Sequence, residues 1–204
     1  MKTRNKAKAL SIAGTPKHPA SFTVAQSDGI PVGEFQIISG TVVISDPCYA
    51  LGTWCQGNLE RVLIGKWASC VKIATKREFK GCVIELISRA VDGIPIVNVG
   101  WQREVSFMVG VDSGQAGIFD TAHYRDDKIA ETVPRLSKEQ ICLDEPWYSL
   151  CCDRTLETKL HAGVIPYGVV STSGIGDGSY HCYTRRGAQG HIVAIKIVFM
   201  DRYF

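Results

Sequence analysis

No C-x-x-C pair occurs in this 204-residue chain, although it carries eight cysteines, at 48, 55, 70, 82, 142, 151, 152 and 182. Neither a zinc ribbon nor a thioredoxin-type dithiol is therefore encoded. Buried thiols that pack as small hydrophobes are the expectation, with Cys70 and Cys82 inside apolar strand patterns. The five histidines, at 18, 123, 161, 181 and 191, form no H-x-H or H-x-x-x-H. No G-x-S-x-G elbow presents a serine nucleophile, and no D-x-D-x-D-G marks a calcium hand. Apolar runs are short: Ile192–Ile195 and Ile197–Met200 are parted by Lys196, far from the roughly 20 residues of a membrane helix. The alternation of strands with helices that builds a parallel nucleotide-binding sheet is missing too.

Charge of one sign is also scarce. The chain has 23 Lys and Arg against 20 Asp and Glu, a formal +3 too small by itself to imply nucleic acid, which is not an expected partner. That charge is unevenly placed, because Lys2, Arg4, Lys6, Lys8, Lys17 and His18 all precede the first acid, Asp28. Residues 1–30 read as a basic, solvated arm, and residues 31–204 as one β-rich domain with a loop or helix insertion near 121–160. The arm lacks the apolar centre of a secretory signal, so a cytoplasmic protein is the default expectation.

What the chain does contain is short β-patterned segments. Residues 35–45 predict a strand that stops at Asp46-Pro47, where proline withdraws a ladder donor. A short helix is expected over 54–62, then strands near 66–74, 81–89, 94–101 and 104–112. In the last, Val105, Phe107, Val109 and Val111 alternate with Glu104, Ser106, Met108 and Gly110, which sets Asp112 on the opposite face. Asp126–Glu131 reads as a charged loop, and Ser137–Gln140 has capping-box spacing. Pro146 favours a helix start, giving a helix over 145–159 with Trp147, Leu150, Cys151 and Leu160 on one side. Strands follow near 163–171, 179–184 and 191–200, the last apolar on both faces and hence central in its sheet. The sum is a mainly β, β-rich α+β fold: an antiparallel sandwich or strongly curved sheet with one or two short helices.

Three strand-end turns concentrate the chemistry. Ser173-Gly174-Ile175-Gly176-Asp177-Gly178-Ser179-Tyr180 is dense in glycine but leads into a strand, so it is neither a Walker loop nor a dinucleotide fingerprint. Asp177-Gly178 predicts a hairpin, and the amides of Gly176 and Gly178 could form an anion nest, with Asp177, Ser179 and Tyr180 touching the ligand. Arg185 or Arg186 would join them if the hairpin folds back, and only one of the two, since adjacent strand residues face opposite ways. In VDSGQAGIFD (111–120), a hairpin would bring Asp112 and Asp120 together for acid–base work or a divalent metal, with Ser113 and Gln115 as local hydrogen-bonders. Ser45-Asp46-Pro47-Cys48-Tyr49 is the third turn, and Asp46, Asp112 and Asp177 would make a three-carboxylate site if they gather at one rim. His181-Cys182 is a poor catalytic pair, since adjacent strand residues diverge.

Taken in order, SGTVVISDPCY (39–49), GKW (65–67), VGVDSGQAGIFD (109–120) and SGIGDGSYHCY (173–183) resemble an uncharacterised family, a domain of unknown function found in bacteria, phages and other mobile elements. The resemblance covers residues 37–200 and implies architecture and candidate loops without a reaction; His181-Cys182 departs from the family's usual Tyr-Pro-x-Tyr/Phe run. The leading expectation is a non-membrane, cytoplasmic small-ligand-binding protein, of phage or mobile-element type, that sequesters an anionic nucleotide-like molecule. Tyr180 or Trp54 would stack on its base. A hydrolase or phosphodiesterase using Asp112, Asp120 and Asp177, metal-assisted or not, is the first alternative, and a protein-interaction or assembly module the second. No cofactor is required by the first reading, and a homo-oligomer is compatible with all three.

Overall fold

The computed structural model describes residues 29–91, 100–137 and 144–200. The basic arm up to Asp28, most of the strand expected at 94–101, Cys142 and all but the first residue of the 137–140 cap lie outside the described residues.

Two antiparallel sheets stack face to face. In the seven-stranded sheet the order is β1 (Ile30–Ile37), β4 (Gly65–Ile73), β5 (Val83–Ala90), β12 (Ile192–Val198), β11 (Gly178–Arg186) and β6 (Gln102–Arg103), with β7 (Val109–Val111) also on β11. The five-stranded sheet runs β3 (Gly57–Glu60), β2 (Thr41–Ser45), β8 (Gln115–Asp120), β10 (Gly168–Thr172) and β9 (Ala162–Ile165). Alternate residues build the core between them: Trp67, Val71, Leu86, Ile195 and Ile197 meet Val42, Ile44, Ile118 and Val169. Burying each such side chain contributes roughly 1.5–3 kcal/mol.

The intervening residues of the smaller sheet do not face water. Val43, Phe119 and Val170 pack on Ala130, Trp147, Leu150 and Cys151, carried by helices α1 (Asp127–Ala130) and α2 (Pro146–Leu156). The Trp147 ring meets Phe119 and Tyr124 edge-on, both at 5.0 Å. A strand covered on both faces needs apolar residues at successive positions, which is why TVVIS, AGIF and GVV read as unbroken runs. β12 occupies the centre of its sheet, between β5 and β11, as its two apolar faces predict.

Several boundaries differ from expectation, each for a tertiary reason. The single strand expected over 35–45 is two, since the chain leaves one sheet for the other at Ser39-Gly40, where Gly40 has φ +74°. The helix expected over 54–62 is instead β3, drawn out by pairing Leu59 with Val42. In 104–112 only Val109–Val111 pairs as a strand; Val105 is 88 % exposed, and Phe107 swings over Gly57, where any Cβ would overlap its ring. The charged segment 126–131 is α1, whose start is capped by Asp126 accepting from the Ile129 amide at 3.2 Å. α2 keeps Pro146 in its first turn and ends before Leu160. Residues 163–171 divide into β9 and β10 at Pro166-Tyr167; Tyr167 is left-handed at φ +62° and its ring stacks on His123 at 4.0 Å. Asp177-Gly178 makes no hairpin, because β10 and β11 belong to different sheets.

Phe119 needs bare backbone beneath it. A Cβ on Gly117 would lie 2.2 Å from its ring and 2.5 Å from the Val169 carbonyl, and one on Gly168 would lie 2.6 Å from the same ring. Gly117→Ala is therefore expected to cost at least about 2 kcal/mol in urea unfolding, by forced displacement in a packed layer. Unchanged stability would show that the Phe119 layer is loose.

Candidate functional site

β2 ends at Ser45 because Pro47 cannot extend the ladder, and the chain turns on Asp46. This side chain is fully buried. Its Oδ1 accepts from the Cys48 amide at 2.8 Å, closing the local turn, and from the Ser113 hydroxyl at 2.6 Å. Its Oδ2 accepts from the amides of Asp112 and Ser113 at 2.8 and 2.7 Å. Four donors thus converge on one carboxylate and tie the SDPCY turn to the VDSG turn. A third turn joins through the backbone: the Ser173 amide donates to the Gly114 carbonyl at 2.9 Å, and Gly178 pairs with Val111 in the β7–β11 ladder. That register sets Asp177 next to Asp112 at the end of the ladder. The three turns do meet at one end of the sandwich.

Around the buried clamp the polar groups are satisfied. Arg125, itself left-handed at φ +58°, donates to the carbonyls of Pro47 and Cys48 at 3.0 and 2.9 Å and to Glu145 at 2.9 Å. The Tyr124 hydroxyl donates to the Tyr49 carbonyl at 2.8 Å. Gln56 donates to Ser45 at 2.8 Å and accepts from the Gly52 and Thr53 amides, closing the loop that carries Trp54. Burial, with hydrogen bonding to Asp112 and Cys55, pushes the Tyr49 phenol upward, and burial likewise raises Tyr124 and Tyr148. The Cys48 thiol is pushed up to about 12 by burial and by the Asp46 and Asp112 carboxylates around it. These groups stay protonated at neutral pH and are not primed nucleophiles.

The sequence-predicted residues divide sharply. Asp46, Asp112, Ser113, Gly176, Asp177, Gly178, Ser179 and Tyr180 come to the same end; of these, Asp112, Asp177, Gly178 and Ser179 are exposed. Tyr180 is buried, donating to the Gly176 carbonyl at 2.5 Å and packing edge-on against Phe199, so it offers no stacking face. Trp54 is 92 % exposed and adjoins Cys55, whose carbonyl accepts from the Gly110 amide at 3.0 Å, two residues before Asp112. Gln115 points inward, accepting from Thr155 at 3.0 Å and donating to the Cys152 sulfur at 3.4 Å.

Three expected residues are elsewhere. β7 and β8 form no hairpin, so Asp120 sits at the far end of β8, about 20 Å from Asp112 at strand rise. There it is fully buried and accepts from the amides of Ile38, Ser39 and Ala122 at 2.6, 2.8 and 2.9 Å. Arg185 and Arg186 lie at the other end of the nine-residue β11. Arg185 stacks over Trp101 at 4.5 Å, and Arg186 donates to the Gly190 carbonyl at 3.1 Å. Among the described residues no three His, Cys, Asp or Glu side chains gather closely enough for a metal ion.

A separate groove of about 690 Å³ opens between β1, α1 and β9, with Phe35, Ile129, Val133, Val164 and Tyr167 in its walls. It belongs to the Asp120 end, since the Asp120 amide donates to the Tyr167 carbonyl. Arg154 in its wall is occupied by Asp153 and by the Val164 and Pro134 carbonyls. Nearby, the His123 ring at 3.2 Å and the Ile129 amide hold the Asp126 carboxyl below its usual range. Sequence patterning missed this groove because its walls come from three distant segments. It also missed the supporting roles of Tyr124, Arg125 and Gln56, for which adjacency to a buried turn leaves no local signal.

Residues 102–197 match the family described as "Protein of unknown function (DUF4241)". The similarity to an uncharacterised domain family thus holds for the segment from β6 into β12, which includes the VDSG and GIGDGS turns. Nothing among curated proteins or solved structures matches the chain.

Two outcomes follow from the clamp. Asp46→Ala should cost about 3 kcal/mol in denaturant unfolding by orphaning buried donors, whereas Asp112→Ala should cost below about 1 kcal/mol; equal effects would refute the assignment. Iodoacetamide at pH 8 should label Cys48 far more slowly than a solvated thiol, with peptide mass analysis as the readout, and rapid labelling would contradict its raised pKa.

Proposed function

We propose that the chain is a small-ligand-binding protein rather than a catalyst, and that it takes a nucleotide-type molecule where the three turns meet. The observation supporting this is the division among its carboxylates: Asp46 and Asp120 are spent on amides inside the fold, whereas Asp112 and Asp177 stand exposed on adjoining turns. A ribose diol supplies two hydroxyl donors for such acceptors. Trp54, on the loop next to the same turns, offers a face for a base. At Gly176, with φ +114°, a side chain would meet nothing within 4 Å, so the turn backbone is open to a phosphate. With Arg185 and Arg186 remote, recognition falls on the nucleoside half, and the phosphate contributes little.

Turnover would require a base or nucleophile free to act on the bound molecule. The thiol and phenols at this end are protonated and hydrogen-bonded, so retention of an unaltered ligand is the consistent outcome. No helix among the described residues is long and apolar enough to cross a membrane. A cytoplasmic protein of a phage or other mobile element, sequestering a nucleotide signal, completes the reading.

Calorimetry with nucleosides, their monophosphates and inorganic phosphate, followed by mass analysis of the recovered ligand, tests it. Nucleoside and monophosphate should bind with affinities within severalfold of each other and be recovered intact. Asp112→Asn and Asp177→Asn should each weaken binding about tenfold without lowering the melting temperature, because each loses a charge-assisted acceptor. A converted product would refute the non-catalytic reading, and binding of inorganic phosphate without nucleoside would refute the site.

A further inference from the structure

We infer that the basic residues before Asp28 dock, within their own chain, on the acidic end where the three turns meet. Negative charge is in excess there. Asp46 is buried with only amide and hydroxyl donors around it, and Asp112 and Asp177 stand exposed on the adjoining turns. Among the described residues no cation pairs with any of the three, and Arg125, which braces the Asp46 turn, is matched by Glu145 at 2.9 Å. Several acids elsewhere have counter-charges: Glu34 pairs with Lys66, Glu85 with Lys72 and Lys196, and Asp153 with Arg154. Three carboxylates at one rim without a counter-ion attract cations over a Debye length, roughly 10 Å at 0.1 M salt.

The complementary charge lies upstream in the same chain. Lys2, Arg4, Lys6, Lys8 and Lys17, with His18, all precede the first acid. They enter the fold at the acidic end. Gly29, at φ +133°, lies so close to β4 that a Cβ would be 2.7 Å from the Val71 carbonyl. From that point the register runs across the sheet: Ile30 pairs with Val71, Val71 with Leu86, Leu86 with Ile197, and Ile197 with Cys182. Five strand spacings to β7, and the four residues from Cys182 to Gly178, put Asp112 about 27 Å from this entry. Lys17 precedes Gly29 by 12 residues, about 40 Å of extended chain, so it reaches Asp112 with slack, and Lys8 has more. A tethered segment meets its target at an effective concentration on the order of millimolar. Exposed ion pairs too weak to hold a free peptide therefore suffice within one chain. The contact has a consequence that rests on the ligand-binding reading above. Asp112 and Asp177 are the acceptors assigned there to the ribose, so the docked arm competes with the ligand.

Carbodiimide coupling of the full chain, followed by proteolysis and mass mapping, tests the contact without any ligand. It joins a lysine amine to a touching carboxyl as an amide, with loss of one water. At about 20 mM salt Lys8 or Lys17 should couple to Asp112 or Asp177 within one chain, and at about 500 mM the yield should fall severalfold. Combining Asp112→Asn with Asp177→Asn should abolish these links, while the Lys66–Glu34 pair, 3.2 Å apart, still couples. Links spread over other carboxylates, links only between chains, or none from the arm while Lys66 couples to Glu34, would overturn the inference. In calorimetry, replacing Lys2, Arg4, Lys6, Lys8 and Lys17 by Gln should tighten nucleoside binding severalfold with melting temperature retained. Unchanged affinity would overturn the competition. A chain that couples as expected yet binds no nucleoside would refute the ligand reading and uphold the contact.

Discussion

The architecture depends on buried aspartates that satisfy backbone amides where the chain passes between sheets. In a face-to-face pair of sheets, a strand that crosses from one to the other must leave both ladders, and its N–H groups lose their partners inside the protein. Asp120 meets this need at the β1–β2 crossing, accepting from Ile38 and Ser39. Asp46 does so at the β7–β8 crossing, accepting from Asp112 and Ser113. The two sit at opposite ends of the paired strands β2 and β8, since Val42 lies beside Asp120 and Ser45 beside Gly117. Each carboxylate thereby fixes a crossing and the end of its neighbour strand at once. Asp153 plays the same part for the amides of Leu136 and Ser137 below α2.

This arrangement accounts for what could be read from the residues and what could not. Strand segments with strong patterns, such as 66–74 and 191–200, reappear almost unchanged, because β-propensity and burial act together there. The convergence of the Asp46, Asp112 and Asp177 turns was also foreseeable as a possibility, since each follows a strand end. Which strands share a sheet was not. Ser39-Gly40 and Asp177-Gly178 carry the local chemistry of hairpins, and only long-range pairing makes them crossings. The alternation at Val105 and Phe107 misled for a related reason: Phe107 was claimed by bare Gly57 on the other sheet.

For the candidate site, sequence could identify carboxylates but not their duties. Asp112 and Asp120 are eight positions apart in one motif and look equivalent, yet one is exposed and the other is an internal acceptor for three amides. The difference comes from neighbours remote in sequence, Ile38 and Ser39 for Asp120, and Asp46 for the backbone of Asp112. Arg185 and Arg186 were separated from the Gly-rich turn by strand rise alone: a residue eight places along an extended strand is about 25 Å away.

The boundaries of the family similarity acquire a mechanical meaning from this topology. The matching stretch, 102–197, contains β8 and β12, but β8 is zipped to β2 and β12 to β5, both encoded before it. The acceptor for its own Asp112 and Ser113 amides, Asp46, also lies upstream. Excised alone, that stretch would bare two interior strand edges and two stranded amides, conditions that favour intermolecular pairing over a soluble fold. The two halves of the polypeptide are thus interleaved rather than tandem, and insertions that kept them from docking would be tolerated poorly even at a surface loop.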